Sequence, residues 1–307
     1  MLKGVKSLLN IQQIFACCQE NIFLKMILHN KYFQKRLSIS IKDSIISYNT
    51  IKFEIFPIQI QPQNPKGNWC QFININPDYK PYYHIFFNDE KVEIHDTYRA
   101  HNTKVSKITV LMDRQIKSFK GLFKDCKNIK EVNITHCRRR NIYNTSEMFY
   151  GCESLTKVNL SLLKTENVYN MSWMFYFCSA LEELDISNFN TCNVTNMEYM
   201  FSWSKALNSI NLSNFNTKNV TNMESMFANC LSLKEINLSN FKISKVINMK
   251  YMFEGCKSLI NLIINDFNIE DDTDTHHMLS NCKVELKNKI YSLNKNLATN
   301  TFRNLKL

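Results

Sequence analysis

The chain has 307 residues and a formal net charge of +11, because 38 lysines and arginines outnumber 27 aspartates and glutamates. Its apolar content of 44% is ordinary for a globular protein and too high for a disordered chain. Only five glycines are present, which argues against glycine-rich phosphate loops and flexible linkers. No apolar run approaches the ~18 residues that a membrane helix needs. The length predicts one or two domains, at roughly 100–200 residues each.

Residues 1–45 carry apolar side chains at helical spacing, which predicts two or three short helices. The apolar positions that define this pattern are Ile11, Ile14, Phe15, Leu24, Ile27, Leu28, Tyr32, Phe33 and Leu37. The run resembles an F-box-like motif, although it lacks the proline that opens that motif. The resemblance implies a ubiquitin-ligase substrate adaptor, and the alternative is a helical cap on the part of the chain that follows.

Residues 46–104 are predicted to form a small β-rich section with a proline-rich loop. All five prolines of the chain lie between residues 57 and 81. Ile51, Phe53 and Ile55 alternate with polar residues, which predicts a strand, and residues 83–94 have the pattern of a hairpin. We expect this section to pack on the first unit of the region that follows.

Residues 105–282 contain an internal repeat with a period of 26 residues. One column of the repeat is predicted to stack as a phenylalanine ladder and consists of Phe149, Phe175, Phe201, Phe227 and Phe253. A second column is predicted to stack as a cysteine ladder and consists of Cys126, Cys152, Cys178, Cys230, Cys256 and Cys282. Ser204 occupies the one missing position of the cysteine column, which favours a small buried niche over disulfide pairing.

A single repeat unit can be interpreted physically. Ile210 and Leu212 are two residues apart, which predicts a short strand with both on one face. Residues 216–219 have turn chemistry, and residues 223–230 have the i, i+3, i+4, i+7 spacing of a short helix. The predicted fold class is therefore an α/β repeat, a leucine-rich-repeat-type solenoid of about seven coils plus caps. We expect a cap coil from residue 105, regular coils over 116–282, and a basic cap or tail over 283–307.

The block Ile186-Ser187-Asn188-Phe189-Asn190-Thr191-Cys192-Asn193-Val194-Thr195-Asn196-Met197-Glu198-Tyr199-Met200-Phe201 carries a family resemblance. It resembles the 26-residue surface-protein repeat of BspA-like leucine-rich-repeat proteins. The resemblance implies a leucine-rich solenoid with a binding role and no catalytic residues. Many such relatives are secreted or surface-borne, whereas no evident signal or anchor is found here, which leads us to expect a cytoplasmic protein with reduced cysteines.

The candidate binding residues are five aromatic side chains on neighbouring repeat units. They are Trp173, Tyr176, Phe177, Tyr199 and Trp203, and they are called the aromatic patch below. A local aromatic group on an otherwise polar repeat is typical of a contact surface. The alternative is that these rings only cover one another.

No nucleophile–base pair, cofactor motif or metal-ligand spacing is found, and the acidic and histidine-containing run 270–277 is interpreted as a charged turn. Residues 105–282 carry 19 basic and 18 acidic side chains, so no nucleic acid is expected on this region. We expect no enzyme activity, no cofactor and no membrane span. The predicted function is a non-catalytic intracellular protein-interaction scaffold, and the alternative is a surface or secreted adhesion protein. The partner's identity and the oligomeric state stay open.

Overall fold

The computed structural model describes residues 50–58, 69–100, 104–113, 116–264, 269 and 272–293. The chain divides into two units, Met1–Thr50 and Ile51–Leu307, and every element below belongs to the second. The predicted helical section at 1–45, with its F-box-like or cap interpretation, lies outside the described residues. Neither described helix has the length and apolar character needed to cross a membrane.

The described residues form ten strands, one 3-10 helix and one α-helix. The strands are β1 (Ile51–Pro57), β2 (Trp69–Gln71), β3 (Tyr83–Phe87), β4 (Glu93–Ile94), β5 (Tyr98–Ala100), β6 (Ile108–Met112), β7 (Ile129–His136), β8 (Lys157–Asn159), β9 (Glu235–Asn237) and β10 (Asn261–Ile263). The 3-10 helix is Pro77–Tyr82, and the α-helix, α1, is Val284–Leu293.

A mixed six-stranded sheet is the largest regular element, with the strand order β4-β3-β6-β1-β7-β8. β1 is antiparallel to both of its neighbours, whereas β7 and β8 are parallel. The predicted hairpin is confirmed, since β3 and β4 pair antiparallel. The predicted alternation is confirmed too, because Ile51, Phe53 and Ile55 are fully buried while the residues between them are not. The sheet joins strands from the predicted β-rich section with strands from the predicted repeat region.

The predicted fold class, an α/β leucine-rich-repeat solenoid, is wrong. The described residues are organised around the mixed sheet, with two small sheets, β9–β10 and β2–β5, beside it. No α-helix occurs in residues 116–264 or 272–283, which is where the strand–turn–helix coils were expected. Residues 223–230, whose spacing predicted a helix, form consecutive turns instead.

Hydrogen bonding explains why these segments do not become helices. In residues 197–203 every second amide crosses to the next repeat unit: Tyr199 N donates to Glu224 O at 2.8 Å and Phe201 N to Met226 O at 2.9 Å. The amides between them close local turns, as Ser202 N does on Tyr199 O at 3.2 Å. An α-helix would need each amide to donate four residues back within its own segment. Neighbouring units take half of those donors, so the helix is replaced by turns.

Parallel bridges join positions 26 residues apart along the whole repeat region. They link Ser118, Asn144, Asn170, Asn196, Asn222, Asn248 and Asp274 in succession. The side-chain oxygen of each bridging asparagine also accepts an amide two residues on, as Asn196 does from Glu198 at 2.9 Å. Each asparagine thereby satisfies a backbone donor that a turn would otherwise leave without a partner.

The core of the repeat region is built from columns of identical side chains. Rings of the phenylalanine ladder stack on one another and on Phe123, with centroids 5.3 to 5.9 Å apart and planes within 16° of parallel. At the C-terminal end, Leu286 and Ile290 of α1 are buried in the same core. The first part of the predicted basic cap is thus a helix with one apolar face, and residues 294–307 lie outside the described part.

Candidate functional site

The five residues of the aromatic patch lie together in the structure. Each is half-buried, and their rings form one connected cluster. Trp173 stacks on Tyr199 with centroids 3.9 Å apart and planes 8° from parallel. Tyr176 lies 4.8 Å from Trp173, and Phe177 lies 5.9 Å from Trp203. The rings partly cover one another, as the alternative interpretation required, yet every ring keeps some exposed area.

The backbone under four of these rings is left-handed. Trp173, Phe177, Tyr199 and Trp203 have φ between 52° and 62°. A bulky residue rarely adopts this conformation, because its Cβ crowds the neighbouring carbonyl. Each repeat unit has two left-handed positions, four residues apart. The second of them is occupied, from the first unit to the last, by Asp125, Gly151, Phe177, Trp203, Asn229, Gly255 and Asn281.

Two units therefore depart from the residue types that this position favours. Glycine, asparagine and aspartate tolerate left-handed backbone at little cost, and five of the seven units use them. The left-handed conformation costs roughly 1–2 kcal/mol for other residues. Phe177 and Trp203 incur that cost side by side, and both project into the aromatic patch. The first left-handed position carries a residue other than glycine in six of the seven units, so it is the second position that distinguishes the patch.

Two carboxylates border the patch and are held in position by neutral donors. The indole nitrogen of Trp173 donates to Glu198 Oε1 at 2.9 Å, and Asn222 donates to Glu198 Oε2 at 2.5 Å. The hydroxyl of Tyr199 donates to Glu224 Oε1 at 3.2 Å, and a side-chain amide from the next unit donates to Glu224 Oε2 at 2.8 Å. Each carboxylate is thus oriented by one aromatic donor and one asparagine.

Lysine side chains lie against the rings at both ends of the cluster. Lys205 Nζ is 5.0 Å from the ring centroid of Trp203 and 5.5 Å from that of Phe177. Lys124 Nζ is 4.6 Å from the ring of Tyr150, and it contacts Glu147 Oε2 at 2.5 Å. The hydrogen bond to Glu147 raises the pKa of Lys124. These distances are those of cation–π contacts.

Sequence reasoning missed several members of this surface. Tyr150 extends the patch, since its ring stacks 4.8 Å from Tyr176. Glu198, Glu224 and Lys205 were also missed, because nothing in the repeat pattern shows which polar side chains reach the rings. The change of the column of Gly151, Asn229 and Gly255 to aromatic residues in two adjacent units indicated Phe177 and Trp203, but it gave no signal for these four residues.

The cysteine ladder is buried, and its thiols bond across repeat units. Cys178 Sγ donates to Phe149 O and Cys230 Sγ to Phe201 O, both at 3.2 Å. Burial raises the pKa of Cys230 to about 12 and that of Cys282 to about 11. The six cysteines of the ladder form no disulfide. The predicted reducing compartment stays a prediction.

The acidic and histidine-containing run near the C-terminus is an ion-pair network in the structure. Asp274 contacts Lys250 Nζ at 2.9 Å and the Nδ1 atom of His276 at 2.6 Å. Residues 270 and 271 lie outside the described part. Within the described ranges, no group of three or more His, Cys, Asp or Glu is arranged to hold a metal ion.

Comparison with known proteins relates the repeat region to one family. A family model described as "Mycoplasma protein of unknown function, DUF285" matches residues 117–211 and 185–293, which together make up more than half of the chain. This match confirms the resemblance to BspA-like repeat proteins and gives no support to the F-box-like resemblance. No curated protein and no solved structure matches the chain.

Proposed function

Since the chain belongs to the DUF285 family of BspA-like repeat proteins, we propose that it is a non-catalytic binding protein whose aromatic patch contacts a partner protein. One observation carries this proposal. Phe177 and Trp203 stand side by side at left-handed positions where the other units have Gly, Asn or Asp. Aromatic residues are enriched where protein interfaces are strongest, and half-exposed clusters of them mark contact surfaces.

The chemistry of the patch fits an interface better than a reaction centre. Stacked rings supply apolar area and few titratable groups. Burial raises the pKa of Tyr176 and of Tyr199, so both phenols stay protonated at neutral pH. The carboxylates of Glu198 and Glu224 can orient a polar group of the partner, because each carboxylate is itself fixed by two hydrogen bonds. Rigid rings with oriented polar groups at their rim are the pattern of a protein-contact surface.

The decisive experiment exchanges patch residues for those of neighbouring units. Phe177→Gly and Trp203→Asn install the residues found at Gly151 and Asn229, so the backbone keeps a residue type suited to its conformation. Tagged full-length protein is purified from its native cells, and co-purifying proteins are identified by mass spectrometry. We expect the double variant to lose the main partner while its melting temperature stays at or above that of the wild type.

A matched control is available on another part of the surface. Tyr169 is 49% exposed and lies in a column where the next unit has Thr195. Tyr169→Thr therefore removes an exposed ring in the same manner and should leave partner capture unchanged. Unchanged capture by the Phe177→Gly/Trp203→Asn variant would contradict the proposed function.

The cellular location stays a proposal with two versions. An intracellular scaffold rests on the prediction that the ladder cysteines are reduced. A surface or secreted adhesion protein rests on the secreted or surface-borne location of many BspA-like relatives. Glycosylation separates them, because Asn159, Asn211 and Asn237 are exposed and each begins an Asn-x-Ser sequence. Mass spectrometry of protein from its native cells measures occupancy at these sites. A glycan on any of them contradicts the intracellular version.

The ubiquitin-ligase adaptor is the sharpest form of the intracellular version, and it depends on residues 1–45 alone. Expression of residues 46–307 tests it. An adaptor module should be removable, leaving a soluble chain that unfolds cooperatively and has lost one partner. A truncated chain that precipitates would contradict the adaptor and favour the helical cap.

A further inference from the structure

We infer that the aromatic patch recognises a basic segment of its partner protein, an inference that rests on the proposed function. An arginine or lysine head group of that segment pairs with Glu198 and Glu224, and its aliphatic stem packs on the neighbouring rings. Three features of the protein support this inference: two carboxylates without an ion-pair partner, a lysine that fills a similar arrangement elsewhere in the chain, and the packing of the rings.

The two carboxylates lie at the rim of the patch without an opposite charge of their own. Their hydrogen bonds come from Trp173, Asn222, Tyr199 and Asn248, which are neutral donors. Among the described residues, no lysine, arginine or histidine nitrogen lies within 4.0 Å of Glu198 or Glu224 in an ion pair. Lys250 is the basic residue whose pKa Glu224 helps to raise, but its ammonium group pairs with Asp274 at 2.9 Å.

The same chain shows what a filled arrangement looks like. Lys124 contacts Glu147 at 2.5 Å while its ammonium group lies 4.6 Å from the ring of Tyr150. One lysine there satisfies a carboxylate and an aromatic face together. Around Glu198 the carboxylate and the rings are present, and the described residues supply no such cation. A lysine or arginine from outside the chain would complete the arrangement, because its charge pairs with the carboxylate while its aliphatic stem packs on the rings.

The packing of the rings favours a basic side chain over a sugar. A sugar ring stacks on an open aromatic face, whereas Trp173 and Tyr199 present their closest faces to each other at 3.9 Å. The other neighbours of Trp173 are Tyr150 at 6.0 Å and Tyr176 at 4.8 Å. A long aliphatic stem packs on the edges of rings as well as on their faces, and its cationic end pairs with a carboxylate.

The test uses full-length protein and defined probes at low ionic strength. Isothermal titration measures binding of three compounds: a peptide of five Gly-Arg repeats, a peptide of five Gly-Glu repeats, and the neutral oligosaccharide cellohexaose. We expect only the Gly-Arg peptide to bind, with an affinity that falls as salt is added. Equal binding of the Gly-Glu peptide, or no binding of any probe, would overturn the inference. Binding of cellohexaose alone would assign the patch to sugars instead and would overturn it as well.

Charge-removing variants locate the interaction. Glu198→Gln keeps an oxygen that accepts from Trp173 and removes the charge, but its amide nitrogen cannot accept from Asn222, so we expect the fold to be kept with a small loss of stability. We expect it to weaken binding of the Gly-Arg peptide about fivefold, and the double variant with Glu224→Gln to weaken it about tenfold or more. Glu183 is an exposed carboxylate with no hydrogen bond to a patch ring, so Glu183→Gln is the control and should change the affinity less than about twofold. An equal loss in the control would show general charge attraction only and would overturn the inference.

One further variant is expected to strengthen binding of the Gly-Arg peptide instead of weakening it. Lys205 already lies over Trp203 and Phe177 and adds a positive charge beside the proposed site. Lys205→Gln should therefore strengthen binding of the Gly-Arg peptide about twofold or more. Native partner capture then separates this inference from the proposed function. Capture that is lost in Phe177→Gly/Trp203→Asn but kept in Glu198→Gln/Glu224→Gln would leave the function standing and reject the basic segment.

Discussion

The hydroxyl of Ser204 donates a hydrogen bond to the carbonyl oxygen of Phe175 at 2.9 Å. Ser204 occupies the position that is a cysteine in the neighbouring units, and the thiol of Cys230 makes the equivalent bond to Phe201 O at 3.2 Å. Both side chains thus donate a hydrogen bond to a backbone carbonyl of the preceding repeat unit. What distinguishes the thiol is its ability to ionise.

Replacing Cys230 by serine should make the protein less sensitive to alkaline pH. Burial raises the thiol's pKa from 9.0 to about 12, so above pH 9 the unfolded chain loses this proton while the folded chain keeps it. The free energy of unfolding therefore falls between pH 9 and about 12, by about 1.4 kcal/mol per pH unit for one thiol. Urea unfolding of wild type and Cys230→Ser at pH 8 and pH 10 measures the difference. Identical pH dependence in the two proteins would contradict the raised pKa.

The same thiols should resist alkylation in the folded protein. Thiolates are the reactive form, and the ladder cysteines are buried with raised pKa values. Among the cysteines that the structure describes, iodoacetamide at pH 8 should label Cys192 first, because it is partly exposed, and mass spectrometry measures the labelling. Cys152, Cys178 and Cys256 should react only after denaturation. Disulfides among the ladder cysteines of freshly isolated protein would contradict the expected reducing compartment.

Deleting a central ring should cost more stability than deleting a terminal side chain. Phe227 stacks between Phe201 at 5.4 Å and Phe253 at 5.6 Å, so Phe227→Ala should lower the free energy of unfolding by about 3–5 kcal/mol. Leu279 holds the same column near α1, and Leu279→Ala should cost about 2–3 kcal/mol. Chemical denaturation measures both. Equal losses would show that the column does not depend on neighbours at both sides.

Two substitutions at left-handed positions should differ in their effect on stability. Phe177→Gly removes a half-exposed ring at φ 57° and should change the free energy of unfolding by less than about 1 kcal/mol. Gly151→Ala adds a Cβ at φ 69°, 2.5 Å from the Oδ1 atom of Asp125, and should cost about 1–3 kcal/mol. Thermal unfolding compares the two. A large loss in Phe177→Gly would mean that the ring is needed for the fold and would weaken its assignment to binding.

An asparagine that bonds across units should matter more than one on the surface. The side-chain amide of Asn240 donates to Leu212 O at 3.1 Å and to Phe215 O at 2.8 Å. Asn240→Ala should cost about 1–3 kcal/mol, because both partly buried carbonyls lose a donor. Asn237→Ala is the control, since Asn237 is exposed and accepts only from the amide of Ser239. Similar losses at the two sites would contradict this division of roles.

The sequence by itself determined the periodic part of this protein. A period of 26 residues predicted which side chains share a column, and the rings of Phe149 and Phe253 lie in one stack as a result. It also predicted β1 and the β3–β4 hairpin, because a strand with one buried face shows its alternation directly. The five members of the aromatic patch were found because they interrupt the polar repeat.

Only the tertiary structure decided the fold class and the composition of the candidate site. Met223, Met226 and Phe227 have helical spacing, yet consecutive turns bury the same positions once neighbouring units take every second amide. Hydrophobic spacing predicts which residues are buried, but it does not predict which groups accept their backbone hydrogen bonds. It therefore could not distinguish a helix from consecutive turns. Glu198 and Glu224 each accept a hydrogen bond from an aromatic side chain of the preceding unit. The spacing of residues along the sequence does not predict such a contact. The left-handed backbone at Trp203 likewise depends on a contact between chain segments, because the amide of Trp203 donates to Ala228 O of the neighbouring unit at 2.8 Å. The conformational preference of tryptophan by itself opposes this backbone conformation.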